Sequence, residues 1–435
     1  MLRDITSMPV LVALDKARHS HAPNLMKRVG IVGVQHLLPS SLPLFDALIH
    51  AGVEPGCMYI LGKPYSTHSD VLAALQQRGC VVLDGTWPSE QEDLAEHAAR
   101  EVDQLWGRAE GLQRRNIDSL VVLDDGGRCL VSVPEWARSY RPMGVEQTSR
   151  GWHLASNLGR IPTVLVARSA IKLFCEAPII GRSVANAIEP YFRGVSKREL
   201  VGVIGAGPIG AAVASALLAG GRRVAISDRN TLARELAPRE SEWMPSRDQL
   251  LRNCGLVVGC TGTSAIDPSD LNAPRLRGVR VLVSASSEDK EFRQLLRLQR
   301  HVHRSADPLR DIVLQFGELT LRVARGGYPI NLSPSVENES ADDMQITRGA
   351  LLAGVYQAAC MSHKGVPGSP LLALDAELQQ IAVRAWASDA RGYGARSSSL
   401  DWDNLEQIAR KSGGRRWSAS SGWSAGSRLP VWTST

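Results

Sequence analysis

The sequence predicts an α/β protein made of two doubly wound parallel-sheet domains. Short runs rich in Val, Ile and Leu alternate with segments of helical periodicity, the order expected for parallel strands joined by crossover helices. A strand, a glycine-rich turn and a helix begin only near residue 200, so a first sheet precedes them. At 435 residues the chain is also too long for a single hydrophobic core.

The first domain is expected to span residues 1–182. Its predicted helices lie near residues 41–51, 70–78 and 89–112, and its predicted strands are 28–34, 57–61, 80–83, 119–123 and 163–166. In open α/β sheets a ligand binds beyond the carboxyl ends of the strands. The residues that follow these strands are therefore the candidates for a site.

The second domain, residues 183–332, begins with the most informative pattern in the chain. The strand Leu200–Ile204 runs into Gly205-x-Gly207-x-x-Gly210, and a second strand ends at Asp228. This order is typical of a Rossmann NAD-binding domain, in which the glycines allow a tight turn, close approach of the pyrophosphate and helix packing. A purely structural glycine turn is the alternative interpretation.

The cofactor expected here is NAD. Asp228 would accept hydrogen bonds from the adenosine ribose and would repel the 2′-phosphate of NADP, although Arg229 beside it would not. The predicted later strands, 255–262 and 279–285, complete the domain. The full set of predicted turn and strand-end contacts to the cofactor is Gly205, Ala206, Gly207, Pro208, Ile209, Gly210, Asp228 and Thr261.

The rest of the chain is expected to return to the first domain over residues 333–375. Helices over residues 376–410 are expected to form subunit contacts, and residues 411–435 to form a flexible basic tail. Four of the six excess positive charges lie in that tail, which has no acidic residue, so the remainder carries only 6 − 4 = +2. No nucleic-acid partner is expected from so small an excess.

Composition points to an ordinary globular protein of the cytoplasm. No apolar run approaches the ~20 residues that cross a bilayer, and no signal-peptide core follows Met1. The seven cysteines show no paired spacing. No metal is expected, because His301-x-His303 lacks further ligands nearby.

Polar residues follow three predicted strands of the first domain. They are His36 after the first strand, the run Asp124-Asp125-Gly126-Gly127 after the fourth, and Lys172 with Glu176 after the fifth. Each has a plainer interpretation: a structural histidine, a turn, and a surface ion pair at i, i+4.

Together with the glycine turn, these segments resemble the S-adenosylhomocysteine hydrolase (adenosylhomocysteinase) family. The similarity covers residues 28 to about 360, in the family's order. It is carried by Gln35-His36-Leu37, Tyr65-Ser66-Thr67, Leu123–Gly127, Glu146-Gln147-Thr148-Ser149-Arg150-Gly151, Ser169-Ala170-Ile171-Lys172 with Glu176, and Ile330-Asn331-Leu332.

The resemblance implies an enzyme in which tightly held NAD oxidises the 3′-hydroxyl of a nucleoside. The 3′-ketone acidifies the C4′ proton, the 5′ group is eliminated, water adds, and the ketone is reduced again. Carried over residue by residue, the catalytic set is His36, Asp125, Lys172 and Glu176, with Asp124 and Gln147 at the substrate and Thr148, Ser149 and Asn331 at the nicotinamide half. The family also implies a homo-oligomer, a dimer or a tetramer.

The departures from the family fall at the substrate. Gln147 replaces a carboxylate, and Glu146 beside it would point elsewhere. The chain also differs at Leu38, at Ala177 and in the segments Ser286-Ser287 and Ser333–Asn338. The substrate is therefore expected to be another adenosine-type nucleoside or nucleotide, with 5′ elimination and hydration or C3′ epimerisation as the outcome.

Two other interpretations of function remain open at this stage. The chain could be a non-catalytic NAD-binding homologue that acts through a protein partner, or a dehydrogenase that releases NADH. Lys63, Arg128 and Arg150 could bind a phosphate or carboxylate, or could simply be solvated.

Overall fold

The computed structural model describes residues 8–88, 94–193, 196–272, 276–298, 307–364 and 371–389. These residues form two compact units, which divide at Thr86/Trp87, Cys175/Glu176 and Glu339/Ser340. Unit 1 holds the described residues up to Thr86, from 94 to Cys175 and from Ser340 to 389, and unit 2 holds the others. The expected boundaries were 182/183 and 332/333. The expected C-terminal helices beyond residue 389, the tail 411–435 and His301-x-His303 lie outside the described residues.

The strands are short and mostly buried. In chain order they are β1 (Val29–Leu37), β2 (Met58–Thr67), β3 (Val81–Leu83), β4 (Ser119–Asp124), β5 (Met143–Glu146), β6 (Thr163–Leu165), β7 (Leu200–Ile204), β8 (Arg223–Ser227), β9 (Glu242–Trp243), β10 (Cys254–Gly259), β11 (Gly278–Ser284), β12 (Ile312–Phe316), β13 (Leu319–Val323) and β14 (Leu371–Ala373).

The α-helices lie between these strands. They are α1 (Pro9–His21), α2 (Leu42–His50), α3 (Ser69–Gln77), α4 (Leu94–Ala109), α5 (Arg128–Val131), α6 (Ser149–Leu158), α7 (Ala177–Ala187), α8 (Pro208–Ala219), α9 (Arg247–Asn253), α10 (Arg293–Leu298), α11 (Ala341–Lys364) and α12 (Ala376–Ser388). A π-helix, Ile171–Glu176, precedes α7.

Unit 1 is built on a parallel sheet in the order β14-β6-β5-β4-β1-β2-β3. The strand order reverses between β1 and β4, where Ile31 is paired with Val121 on one side and Met58 on the other. The long helix α11 packs against β4 and β5. Its Gly354 allows close approach, because a Cβ there would lie 2.8 Å from Val145 and 3.0 Å from Val166.

Unit 2 repeats the same plan in the order β12-β13-β11-β10-β7-β8-β9. Its pairs are parallel except the edge hairpin β12–β13. Here the order reverses between β7 and β10. Helix α7 packs on α8 through Gly181, where a Cβ would lie 2.5 Å from the Ala212 backbone.

The predicted fold class is confirmed by the two parallel-dominated sheets with interleaved helices. The strand predicted at residues 57–61 continues to Thr67, which places Lys63 inside β2. Helix α1 and the short strands β5, β9, β12, β13 and β14 were not predicted. In the described part of the chain, every helix is too short or too polar to span a bilayer.

Candidate functional site

The first candidate site lies where the strand order of unit 1 reverses. His36 is near the carboxyl end of β1, Asp125 follows β4, and Gln147 follows β5. Ligands of doubly wound sheets bind at this position, because neighbouring crossovers leave on opposite faces and open a crevice. We refer to His36, Lys63, Asp125, Gln147 and Lys172 as the unit 1 site.

The turn after β4 is shaped by glycine and by Asp124. Gly126 and Gly127 have φ of 111° and 80°, a region that glycine adopts readily. The Asp124 carboxylate accepts the N–H groups of Asp125 at 2.9 Å and Leu130 at 3.0 Å. Burial raises the pKa of Asp124 to about 6. Both oxygens of Asp124 thus hold the turn, whereas the resemblance had suggested contact with substrate.

Asp125 is held as an anion by three neighbours. The Lys63 ammonium donates to Oδ1, Gln147 Nε2 donates to Oδ2 at 2.5 Å, and His36 Nε2 lies 3.4 Å from Oδ2. Burial by itself would raise the pKa of Asp125, but Lys63 and then His36 outweigh it and hold the pKa well below its usual value. Such a carboxylate is a poor proton donor and a good electrostatic anchor.

His36 lies between a hydroxyl and this carboxylate. Its Nδ1 is 2.5 Å from Ser66 Oγ, and its side chain is 12% exposed. Burial lowers the pKa of His36 to about 3; Asp125 opposes this shift, while Lys63, Arg348 and Lys172 add to it. The imidazole is therefore neutral near pH 7. Although Ser66, His36 and Asp125 form a chain, Ser66 is fully buried and is not presented as a nucleophile.

Gln147 fits its neighbours because it is an amide. Its Nε2 also donates to Gln35 Oε1 at 3.3 Å, and Gln35 in turn donates to the Leu123 carbonyl at 3.2 Å. A carboxylate in the same place would face Asp125 and be repelled. An amide at position 147 is therefore compatible with the ionised Asp125 carboxylate.

Glu146 lies beneath the turn. Its Oε1 accepts the N–H groups of Gly126 and Thr148 and the Thr148 hydroxyl, at 3.2, 2.7 and 2.7 Å. Burial, then Asp124 and Asp125, raises the pKa of Glu146 well above its usual value. Gly151 leaves room for this carboxyl, because a Cβ there would lie 2.0 Å from it.

Thr148 and Ser149 begin helix α6. The Thr148 side chain caps the helix by accepting the Gly151 N–H at 2.9 Å, in addition to its bond to Glu146. Ser149 is exposed. The hydroxyl of Thr148 is thus engaged within unit 1, whereas both residues were expected at the nicotinamide.

Lys172 lies in the π-helix, where its N–H donates to Ser169 Oγ at 3.2 Å. Its charge contributes to lowering the pKa values of both His36 and Asp125. π-Helical turns are rare in proteins, and many of those that occur lie at functional sites. Glu176 is buried at the end of the same π-helix and is counted with unit 2.

Lys63 is the component that sequence reasoning left undecided. Its side chain is 9% exposed and pairs with Asp125, so a solvated lysine is the wrong interpretation. The signal was a lysine directly before Pro64 and the Tyr65–Thr67 motif, within what proves to be one strand. Arg128 is partly buried and donates to the Ala95 carbonyl at 3.1 Å.

The second candidate site is the glycine turn after β7 in unit 2. Gly205 has φ of 101°, and a Cβ at Gly210 would lie 1.7 Å from the Gly205 carbonyl oxygen. A Cβ at Gly207 would meet nothing within 4 Å, so the surface above it is open. Pro208 is the first residue of α8. Ala206 is buried, Pro208 is exposed and Ile209 is partly buried against the core. This shape fits a pyrophosphate at a helix N-terminus.

Asp228 closes this turn from the end of β8. One oxygen accepts the Ala206 N–H and the other accepts the Asn230 N–H, both at 2.7 Å. Arg229 is 67% exposed and pairs with Asp267 at 2.9 Å. The acid is therefore oriented by the turn, while the neighbouring arginine is directed to another carboxylate.

A buried glutamate that the sequence analysis missed holds the loops that follow β10 and β11. Glu291 accepts Thr261 Oγ1 at 2.7 Å and the Gly262 N–H at 2.7 Å, and it is also bonded to the Ser286 hydroxyl. Burial raises its pKa. In the sequence it lies in the charged run Glu288–Glu291. Asn331 is tied separately to Glu339, at 2.9 Å.

Comparison with known proteins adds relatives but no activity. No protein-family model matches the chain. The chain is 28% identical over 363 residues to uncharacterized proteins of Mycobacterium tuberculosis strains CDC 1551 / Oshkosh and ATCC 25618 / H37Rv, an alignment that covers 82% of this chain and 68% of each relative.

Among solved structures, the A chain of dipicolinate synthase from Bacillus subtilis matches with 11% identity and a TM-score of 0.33, over 78% of this chain and 95% of that chain. A TM-score of that size does not establish a common fold.

Proposed function

We propose that the protein is an NAD-dependent enzyme similar to adenosylhomocysteinase, which oxidises the 3′-hydroxyl of an adenosine-type nucleoside or nucleotide. One observation carries the proposal: His36, Lys63 and Gln147, which come from separate strands and strand ends, converge on the buried Asp125 carboxylate, with His36 Nε2 3.4 Å from its Oδ2. The position of the unit 1 site at the strand-order reversal supports a ligand-binding role.

The glycine turn of unit 2 fits a dinucleotide. Gly205 to Gly210 would hold the pyrophosphate, and Asp228 would accept the adenosine ribose hydroxyls, which favours NAD over NADP. Thr261 stays assigned to the cofactor, and Thr148, Ser149 and Asn331 stay assigned to its nicotinamide half. When bound, the dinucleotide would take a hydrogen from the sugar alcohol and later return it.

The charges of the unit 1 site suggest a division of labour. Lys172 would hold the proton of the 3′-hydroxyl, as the resemblance implies. His36, neutral near pH 7, would accept the C4′ proton and pass it on. For Asp125 we propose a role that differs from the one assigned from the sequence. Because Lys63 and Gln147 hold Asp125 ionised, we propose that Asp125 orients the His36 ring and does not itself transfer a proton.

The first experiment asks whether the protein carries and recycles its cofactor. The purified protein is denatured, released NAD is measured, and the native protein is then mixed with adenosine-type nucleosides while the NADH absorbance is followed. A transient NADH signal without net accumulation supports internal recycling. Stoichiometric free NADH identifies a net dehydrogenase, and bound NAD with no response to any nucleoside favours a partner-binding homologue.

The second experiment tests Lys172 directly. Lys172→Ala should abolish the NADH transient and leave the amount of bound NAD unchanged, because the substitution lies in unit 1. Lys16→Ala, at an exposed position of α1, is the matched control. Unchanged turnover in Lys172→Ala would contradict the role assigned to this lysine.

A further inference from the structure

An ion pair in unit 2 joins the loops on either side of the glycine turn. Arg229 follows β8, Asp267 lies in the loop after β10, and Arg229 Nη2 is 2.9 Å from Asp267 Oδ2. Strand β7 lies between β8 and β10, and its Ile204 is in register with Ser227 on one side and Gly259 on the other. The three strands therefore end together, and the pair lies at the same edge of the sheet as the glycine turn.

Asp267 is held in place by contacts other than Arg229. Arg247, the first residue of α9, donates to Asp267 Oδ2 and to the Ala265 carbonyl, both at 3.0 Å. The Asp267 N–H donates to Asp270 at 2.7 Å, and Asp270 also lies 3.3 Å from Arg247. Burial opposes the ionisation of Asp267, but its hydrogen bonds and the two arginines outweigh burial and lower its pKa. Asp267 is thus an anion fixed by its loop, and it draws Arg229 toward it.

Arg229 would otherwise suit a phosphate on the cofactor. It directly follows Asp228, and an arginine near this acid accommodates the 2′-phosphate in NADP-binding domains. The two oxygens of Asp228 accept the N–H groups of Ala206 and Asn230. The Arg229 guanidinium is engaged by Asp267 instead, across the end of β7.

We propose that Asp267 sets the choice of dinucleotide by keeping Arg229 away from the 2′ position of the adenosine ribose. This inference rests on the proposed function, in that the glycine turn binds the cofactor. While Arg229 is engaged, a 2′-phosphate meets the Asp228 carboxylate with no cation to offset the repulsion, so NADP is rejected. Asp267 is a positioning residue, because it acts on the cofactor through Arg229.

The test is a double-mutant cycle on the full chain. Dissociation constants for NADH and NADPH are measured from cofactor fluorescence with the wild type, Asp267→Asn, Arg229→Gln and the combined variant. Asp267→Asn should bind NADPH about fivefold more tightly than the wild type, because an exposed ion pair withholds up to that much, with a much smaller change for NADH. Arg229→Gln should have no effect on NADPH binding when Asp267 is present, and should remove the gain when it is not.

Two controls separate this effect from loss of structure and from loss of charge. Asp267→Glu keeps the carboxylate and should restore the wild-type ratio of the two dissociation constants. Glu242→Gln removes an exposed acid that is paired with Arg223, the first residue of β8, and so lies at the opposite edge of the sheet. This variant should leave the ratio unchanged. A general disturbance of the loops would weaken the binding of both cofactors and would not favour NADPH.

Three results overturn the inference: unchanged NADPH affinity in Asp267→Asn, a gain that survives in the combined variant, or a wild type that prefers NADPH. If NADH binds and the cycle shows no coupling between the two positions, the proposed cofactor site stands and this inference fails. If neither dinucleotide binds to the wild type or to any variant, the proposed function and the inference fail together.

Discussion

The buried ion pair between Lys63 and Asp125 allows a quantitative prediction. The two side chains are 9% and 4% exposed, so neither charge is well solvated. Lys63→Met removes one partner and leaves the Asp125 carboxylate with Gln147 as its remaining strong donor. Breaking a buried pair from one side costs about 3–5 kcal/mol, and we expect a loss of that size in the free energy of unfolding.

The double variant separates the charge effect from packing. In Lys63→Met/Asp125→Asn no uncompensated charge remains, and Gln147 can still donate to the new amide oxygen. Replacing both partners is close to neutral, so most of the stability lost in the single variant should return. Urea unfolding at pH 7, in low and in high salt, measures both variants, and salt should change little because the pair is buried.

The pH dependence of the free energy of unfolding provides a second readout, and its sign should differ between the wild type and Lys63→Met. In the wild type the pKa of Asp125 is depressed, so its contribution is present above the unfolded pKa and is lost as the pH falls. Without Lys63, burial raises that pKa, and the variant should gain stability on acidification. Arg115→Met, which breaks an exposed pair, should cost at most about 1 kcal/mol. A similarly small cost in Lys63→Met, or a double variant no more stable than the single one, would refute this reasoning.

Three further predictions concern the turns and the buried acids. Gly210→Ala should abolish NAD retention, measured after denaturation, because its Cβ would lie 1.7 Å from the Gly205 oxygen; Gly107→Ala, which meets nothing within 4 Å, is the control. The pKa of Asp124 is raised from 3.8 to about 6. At ~1.36 kcal/mol per pH unit, this shift contributes about 3 kcal/mol to the free energy of unfolding. The contribution is fully present below pH 4 and is lost as the pH rises to about 6. Asp124→Asn should flatten the stability curve over that interval, and an unchanged slope would contradict the assignment. Glu291→Gln should weaken NAD binding in a direct titration, because it disturbs the strand-end loops; wild-type affinity would show that these loops hold their shape without the acid.

Strong local patterns made the central strands and the glycine turn predictable. Leu200–Ile204 is largely apolar and rich in β-branched residues, and Gly205 and Gly210 after it stand where only glycine fits, so sequence alone locates this element. The strand β14 has three residues, and its place beside β6 depends on a pairing more than 200 residues away. Local reasoning has no access to such a pairing.

The candidate site shows the same limit. His36, Asp125 and Lys172 could be named from strand ends and from the family resemblance. The partnership of Lys63 with Asp125 could not, because it joins β2 to the turn after β4, and the sequence of β2 gives no sign of where its lysine points. Likewise, the bond of the Thr148 hydroxyl to Glu146 depends on how the chain folds after β5, whereas its role as a helix cap is visible in the Thr148–Gly151 spacing.

The discontinuity of unit 1 affects how the chain folds as it leaves the ribosome. Residues up to Cys175 supply β1 to β6, but α11 and β14 are translated only after residues 176–339. At ~5–20 residues per second that delay is about 10–30 seconds, during which unit 2 can fold while the face of β4 and β5 that α11 covers is still bare. A nascent chain of this protein therefore displays an apolar sheet for much of its synthesis, which is a natural binding surface for a chaperone.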